Sequence, residues 1–82
     1  MIALMLALAL ATPDADLKRA RDRYEFGAYA DAAAAARTLL ATADLPEPAA
    51  VEAWRILGLA EYQLGDRPAA REAFVRVLLL DP

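Results

Sequence analysis

The chain has 82 residues, enough for one small domain, with a formal net charge of −3 and a hydrophobic fraction of 60%. The mild negative charge argues against a nucleic-acid binder, which normally carries a basic excess. No cysteine, histidine, serine or asparagine occurs. Disulfides, zinc or copper sites built on Cys and His, and the usual serine, cysteine and imidazole catalytic groups are therefore excluded. We expect a protein that is not an enzyme and that needs no cofactor or metal ion.

Residues 1–11, MIALMLALALA, are apolar without interruption. They are too few for a stable membrane-spanning helix, which takes about 20 residues. Their length suits the apolar core of a secretory signal, and Ala9 and Ala11 stand at the small-residue positions of a cleavage site before Thr12. Because no Lys or Arg precedes the run, the alternative is a buried or capping first helix of a cytoplasmic protein. We expect a signal peptide and an exported protein, periplasmic or extracellular.

Two helices are predicted next. The first begins near Thr12 and runs to about Phe26, before Gly27, which can adopt the left-handed conformation of a helix cap. The second ends near Thr42. Alanine is a strong helix former with little bulk, so these helices favour close approach over large buried area. Their predicted inner positions are Leu17, Ala20, Tyr24, Ala32, Ala36, Leu39 and Leu40.

Two further helices follow a linker at residues 45–48, whose prolines deny helix continuation. Pro48 suits the first turn of the third helix, where its missing N–H costs nothing. That helix ends before Gly65. Asp66 is the predicted N-cap of the fourth helix, with its carboxylate accepting from the amide of Ala69. Trp54, Leu57, Gly58 and Tyr62 share one face of the third helix by spacing, and Ala70, Phe74 and Val77 share one face of the fourth. Each helix is expected to bury its face against the other, with Gly58 and Ala70 letting the backbones approach closely.

The last 34 residues resemble the tetratricopeptide repeat (TPR) family, whose repeat has about that length. The residues that carry the resemblance are Trp54, Leu57, Gly58, Gly65, Ala70, Phe74 and Pro82. The position of the family's tyrosine holds Glu61, and Tyr62 follows one place later. The resemblance implies an all-α, TPR-like superhelix of two antiparallel helix hairpins, nested because bulky and small side chains alternate.

A degenerate copy of the same pattern precedes it. Gly27 corresponds to Gly65 and Ala36 to Phe74, with a spacing of 38 residues that the linker accounts for. Residues 12–82 are therefore expected to form one helical domain. Repeat one covers about 14–44, the linker 45–48 and repeat two about 49–82.

The resemblance implies a non-catalytic protein–protein interaction scaffold, in which the first helix of each repeat lines a concave groove. The matching partner-binding residues are Lys18, Arg21, Tyr24, Arg55, Leu59 and Tyr62, with Leu17, Glu25, Glu52, Ile56 and Gln63 beside them. Tyr and Arg are common interface anchors, so the groove suits an extended protein or peptide segment of acidic or aromatic character. For both tyrosines, packing against a neighbouring element is the alternative. The family's clamp for a chaperone C-terminus needs groove asparagines, which this chain lacks.

The fourth helix ends in residues that are apolar nearly all round, and such a helix must be buried on more than one side. We therefore expect the face around Val75, Leu78 and Leu79 to be covered by further chain, a second copy or a partner. Repeat arrays usually have three or more repeats, which favours a truncated longer protein. The alternative function is a structural or oligomerisation module that uses this helix, as the N-terminal part of such a protein.

Overall fold

The computed structural model describes residues 13–82, so the predicted signal segment at residues 1–11 lies outside the described residues. The described part forms four α-helices and contains no strand, which confirms the predicted all-α class. The helices are α1 (Pro13–Glu25), α2 (Tyr29–Leu40), α3 (Glu47–Gln63) and α4 (Arg67–Leu80). Each predicted helix is present, and the predicted C-terminal ends lie within two residues of the observed ones.

Both hairpins turn at a glycine with the same local geometry. Gly27 has φ of 89° and Gly65 has φ of 87°, in the left-handed region where a side chain would be strained. The amide after each glycine donates to the carbonyl five residues earlier, from Ala28 to Arg23 and from Asp66 to Glu61, each at 2.9 Å. This is the 6→1 bond of the Schellman motif, which satisfies the last carbonyls of a helix. The two corners therefore have the same backbone structure.

The two corners differ in how the next helix begins. The Asp66 carboxylate accepts a hydrogen bond from the amide of Ala69 at 3.2 Å, which confirms the predicted N-cap of α4. At the first corner the equivalent position is Ala28, and α2 begins without a side-chain cap. The degenerate first repeat therefore has the same turn as the second repeat but has no side-chain N-cap.

The core consists mainly of small side chains. Helix α3 packs against α2 and α4 and also touches α1, and the buried residues of all four helices meet along it. Nine of the 14 buried hydrophobic residues of the described chain are alanines, and Leu39 is the largest fully buried side chain. Because alanine keeps the helix axes close without filling much volume, stability depends on close contact more than on large apolar groups.

The closest contact joins α3 to α4 at Gly58 and Phe74. A Cβ atom placed on Gly58 would lie 2.7 Å from Cε1 of the Phe74 ring, nearer than real Cβ contacts allow. Gly58 is buried and Ala70 is 3% exposed. The predicted close packing at Gly58 is therefore confirmed, and Ala70 is buried as expected.

One predicted inner position is wrong. Tyr62 was expected on the buried face of α3 with Trp54 and Gly58, but it is 55% exposed, and Glu61 is buried at 6% exposure. Glu61 lies four residues after Leu57, one helical turn later, and so falls on the same buried face of α3, which packs against α2 and α4. A buried carboxylate, that of Glu61, therefore occupies the position where the repeat pattern has a tyrosine.

The Gly58–Phe74 contact predicts whether replacing Gly58 by alanine raises or lowers the stability of the fold. In an ordinary helix interior, Gly→Ala stabilises by about 1 kcal/mol. Here the new methyl group overlaps the Phe74 ring, and overpacking costs about 1–3 kcal/mol. We expect Gly58→Ala to lower the free energy of unfolding, measured by urea denaturation. In a Phe74→Leu background, which removes the opposing ring atoms, the same change is expected to be neutral or stabilising. A gain in stability from Gly58→Ala in both backgrounds would contradict the packing described.

Candidate functional site

Helices α1 and α3 lie side by side, and three charged side chains cluster on one face, where a single ion pair joins the two helices. Nη2 of Arg21 lies 3.7 Å from Oε1 of Glu52, and Nη1 of Arg55 lies 3.0 Å from Oε2 of the same carboxylate. Both arginine side chains are about half exposed, at 48% and 47%. The structure thus brings two predicted groove residues together around one acid, leaving the cluster with one excess positive charge.

The two predicted tyrosines have different surroundings. Tyr24 is partly buried, and its ring lies 5.4 Å from the ring of Tyr29 at an angle of 56°, so it packs within its own hairpin. Tyr62 is 55% exposed at the end of α3. An exposed ring offers contact area to a partner at little cost in conformational entropy, whereas a ring already packed offers less.

The remaining predicted groove residues divide between surface and core. Lys18 is exposed and pairs with Asp22 at 2.9 Å along α1, and Leu59 is half-buried. Leu17 and Ile56, expected beside the groove, are 8% and 4% exposed and belong to the hydrophobic core. We define the α1–α3 face by the side chains that stay accessible on it, namely Lys18, Arg21, Glu52, Arg55, Leu59 and Tyr62.

Two clefts open beside the arginines of this face, on either side of Pro48. One, of about 410 Å³, lies between the start of α1 and the start of α3 and includes Arg21 and Glu52 in its lining. The other, of about 530 Å³, lies between the start of α3 and the end of α4 and includes Arg55. Each guanidinium therefore stands at the edge of a concave surface that a partner side chain could enter.

An ion pair between α2 and α3 lies away from this face and was not predicted. Nη2 of Arg37 on α2 lies 3.0 Å from Oε2 of Glu61 on α3. The Glu61 side chain is only 8% exposed, whereas that of Arg37 is 57% exposed. The pair links the second helix of repeat one to the first helix of repeat two. Its sequence signal was the acid at the family's tyrosine position, but nothing in the spacing pointed to Arg37 as the partner.

The pair borders a cleft of about 420 Å³ between α2, α3 and α4, which also includes Trp54 and Glu72. The guanidinium of Arg76 stacks over the Trp54 ring, 5.5 Å from its centroid. These contacts are structural, because they join neighbouring helices and satisfy the buried carboxylate. Within residues 13–82, no buried side-chain nitrogen or oxygen lacks a hydrogen-bond partner.

No group of three or more His, Cys, Asp or Glu side chains in residues 13–82 has the arrangement needed to hold a metal ion. None of the helices α1–α4 is both long and apolar enough to span a membrane.

Comparison with known proteins agrees with the geometry. Residues 17–82, about four fifths of the chain, match the family described as tetratricopeptide repeat. The match begins within α1 and continues through α4, so it includes both hairpins. No curated protein and no solved structure shows significant similarity to the chain.

Breaking the Arg37–Glu61 pair is expected to cost more stability than breaking an ion pair that is exposed on both sides. Arg37→Ala leaves the Glu61 carboxylate buried with its partner removed. We expect the free energy of unfolding to fall by about 1–2 kcal/mol, at the lower end because water reaches the half-exposed side of the pair. The control is Lys18→Ala, which breaks an exposed pair and should cost less than about 0.5 kcal/mol.

The double variant Arg37→Met/Glu61→Met tests the same pair from the other direction. Replacing both partners by apolar side chains removes the desolvation cost as well as the attraction, so its stability is expected to stay close to that of the parent. Chemical denaturation of the four proteins measures these differences. An Arg37→Ala cost no larger than that of Lys18→Ala would show that the pair has no structural role.

Proposed function

The chain belongs to the tetratricopeptide repeat family, and we propose that its α1–α3 face binds an extended segment of a partner protein. Members of this family generally mediate protein–protein interaction, through surfaces built by stacking helical hairpins. They are typically non-catalytic scaffolds, and we extend that role to this chain. The observation that carries the proposal is the cluster of Arg21, Glu52 and Arg55 between the two helices that would line the groove.

The cluster suits an acidic side chain on the partner. Each guanidinium has five N–H donors, and the contacts with Glu52 use only part of them. The three side chains together carry one net positive charge, which attracts a carboxylate at the cluster itself, whereas Asp14, Glu47 and Asp81 line the adjoining clefts and make those less favourable for an acid. Arginine also matches the planar geometry of a carboxylate better than lysine does.

Charge alone would give little affinity, because half-exposed ion pairs contribute only about 0–1 kcal/mol each. The larger contribution would come from apolar contact with Leu59 and with the exposed ring of Tyr62, both on α3 with Arg55. The proposed ligand is therefore a peptide that carries an acidic residue close to an aromatic or large aliphatic one. Tyr24 contributes by holding α1 against α2 through its contact with Tyr29.

A peptide array tests this proposal without a known partner. We expect the peptides that bind the folded chain to be enriched in Asp or Glu next to an aromatic or large aliphatic residue. For the tightest of them, Arg21→Glu and Arg55→Glu should each raise Kd by about tenfold or more, because they place a like charge against the peptide's acid. Arg71→Glu, an equal charge change on the exposed surface of α4, is the matched control and should leave Kd unchanged. If all three substitutions raised Kd equally, binding would depend only on the net charge of the protein, and the α1–α3 face would not be the binding site.

We also propose that the protein is exported. The support is the uninterrupted apolar run at residues 1–11 and the small residues Ala9 and Ala11 at the expected cleavage positions. The proposal places the interaction of the α1–α3 face in the periplasm or outside the cell.

Intact mass spectrometry of the protein expressed from Met1 in a secreting bacterial host tests export. The expected mature N-terminus is Thr12. Ala11→Arg puts a large charged residue where the cleavage site needs a small one, so this variant should keep its apolar segment. Recovery of the uncleaved parent chain in the cytoplasmic fraction would exclude this route.

A further inference from the structure

Two carboxylates that form no ion pair within residues 13–82 line the cleft between the start of α3 and the end of α4, which we call the α4-end cleft. Glu47 stands in the first turn of α3, and Asp81 follows α4 as its C-cap residue. The third charged residue of the lining is Arg55, whose guanidinium already contacts Glu52. The α4-end cleft therefore holds more negative than positive charge.

The ends of the two helices act on these carboxylates in opposite ways. Glu47 lies at the N-terminus of α3, where the partial positive charge of the helix end stabilises it. Asp81 lies at the C-terminus of α4, where the last carbonyl groups add partial negative charge beside the carboxylate. A cation is stabilised at that end of a helix, and the last turn of α4 contains no basic residue. The α4 wall of the cleft therefore attracts a cation more strongly than the α3 wall does.

The rest of the lining is apolar. Val51 on α3 is 9% exposed, Leu80 on α4 is half-buried, and Pro48 completes the wall. With a volume of about 530 Å³, the cleft has room for one long side chain. A lysine or an arginine fits, because these side chains lay their methylene stem on apolar surface and keep the charged head beside polar groups. A purely aliphatic side chain would cover the carboxylates without pairing them, which costs binding free energy.

The cleft on the other side of Pro48 is less suited to a cation. It is lined by Asp14 and Glu52, but the Glu52 carboxylate already contacts the guanidinium groups of Arg21 and Arg55. Among the described residues, Asp14 is thus the one acid of that cleft without an ion pair, and it stands in the first turn of α1, where the helix end stabilises it. Of the two clefts, the α4-end cleft is therefore the better site for a basic side chain.

We propose that a lysine or arginine of the partner segment enters the α4-end cleft, next to the acidic residue that Arg21 and Arg55 bind. This site for a basic residue rests on the proposed function of the α1–α3 face and adds the order of charges on the same partner. Arg55 connects the two sites, because it belongs both to the arginine cluster and to the lining of the cleft.

The spacing along α3 sets the separation of the two charges on the partner. Glu47, Val51 and Arg55 follow one another at four-residue intervals, so they lie along one stripe of α3. Glu47 is about 12 Å from Arg55 along the helix axis, which an extended peptide spans in about four residues. The arginine side chain points back toward the start of α3 and shortens this distance. We therefore expect the basic residue roughly two to four positions from the acid, at an even separation, because alternate side chains of an extended segment share one side.

A lysine scan of the bound peptide tests the site, with the 82-residue chain as the binding protein. The tightest peptide of the array keeps its acidic and apolar residues, its other positions become alanine, and a single lysine is moved through about four positions on either side of the acid. We expect lysine to lower Kd about fivefold or more on one side of the acid only. Arginine there should act as lysine does. Methionine, which has a similar unbranched stem without the charge, should not reproduce the gain.

Two double variants of the protein assign the gain to the cleft. Glu47→Gln/Asp81→Asn removes both carboxylates with little change in side-chain size, so the peptides with and without lysine should bind this variant with equal Kd. The matched control, Asp14→Asn/Glu72→Gln, removes one acid from each of two other clefts and should keep the advantage of lysine. Circular dichroism confirms that both variants keep the parent's helix content.

Three results would overturn the site for a basic residue. The first is no gain from lysine at any position, as expected if residues 1–12 or a second copy of the chain fill the cleft. The second is a gain that methionine reproduces, and the third is a gain that both double variants abolish equally or that neither abolishes. In each case the proposed function stands if Arg55→Glu still raises Kd for the acidic peptide. If Arg55→Glu has no effect, the α1–α3 face is not the binding site and both proposals fail.

Discussion

Close approach of helix backbones is the constraint on which this structure depends. Nine alanines and Gly58 let four helices pack with little side-chain volume between them. The fit at Gly58 leaves no room for even one added carbon beside the Phe74 ring. Such packing specifies how two hairpins nest, because only small residues at the contact points permit that axis distance. The same packing fixes the α1–α3 face, because that face forms only when α1 and α3, the first helices of the two hairpins, lie side by side.

The same constraint explains the position of the charged residues. A core made of small side chains has little apolar area to spare, so the chain adds polar contacts between helices at its margins. Arg37 and Glu61 join the two repeats across α2 and α3, and Arg21 and Glu52 join them across α1 and α3. The first pair is largely buried on its acidic side and the second is open to solvent. Burial therefore separates a contact that holds the repeats together from one whose arginine remains available to a ligand.

The fold was predictable from the sequence because its signals are local. Gly27 and Gly65 mark the corners by their conformational freedom, and Asp66 marks a cap by its distance from Ala69. The exchange of roles between Glu61 and Tyr62 was not predictable, since a buried carboxylate depends on a basic residue 24 positions earlier in another helix. Likewise, spacing placed Arg21, Glu52 and Arg55 on matching helices, but the contact of Arg21 with Glu52 became evident only when the two helices were set side by side. The groove residues remain a prediction about binding.

The alanine-rich core has a thermodynamic consequence. The heat capacity gained on unfolding comes mainly from apolar surface newly exposed to water, and typical domains gain about 12–15 cal/mol/K per residue. A core in which Leu39 is the largest fully enclosed side chain exposes less apolar surface per residue when it opens. Its enthalpy and entropy of unfolding should therefore vary little with temperature, giving a broad, shallow stability curve. A helical module of this composition is therefore expected to change its free energy of unfolding little over the temperatures at which cells live.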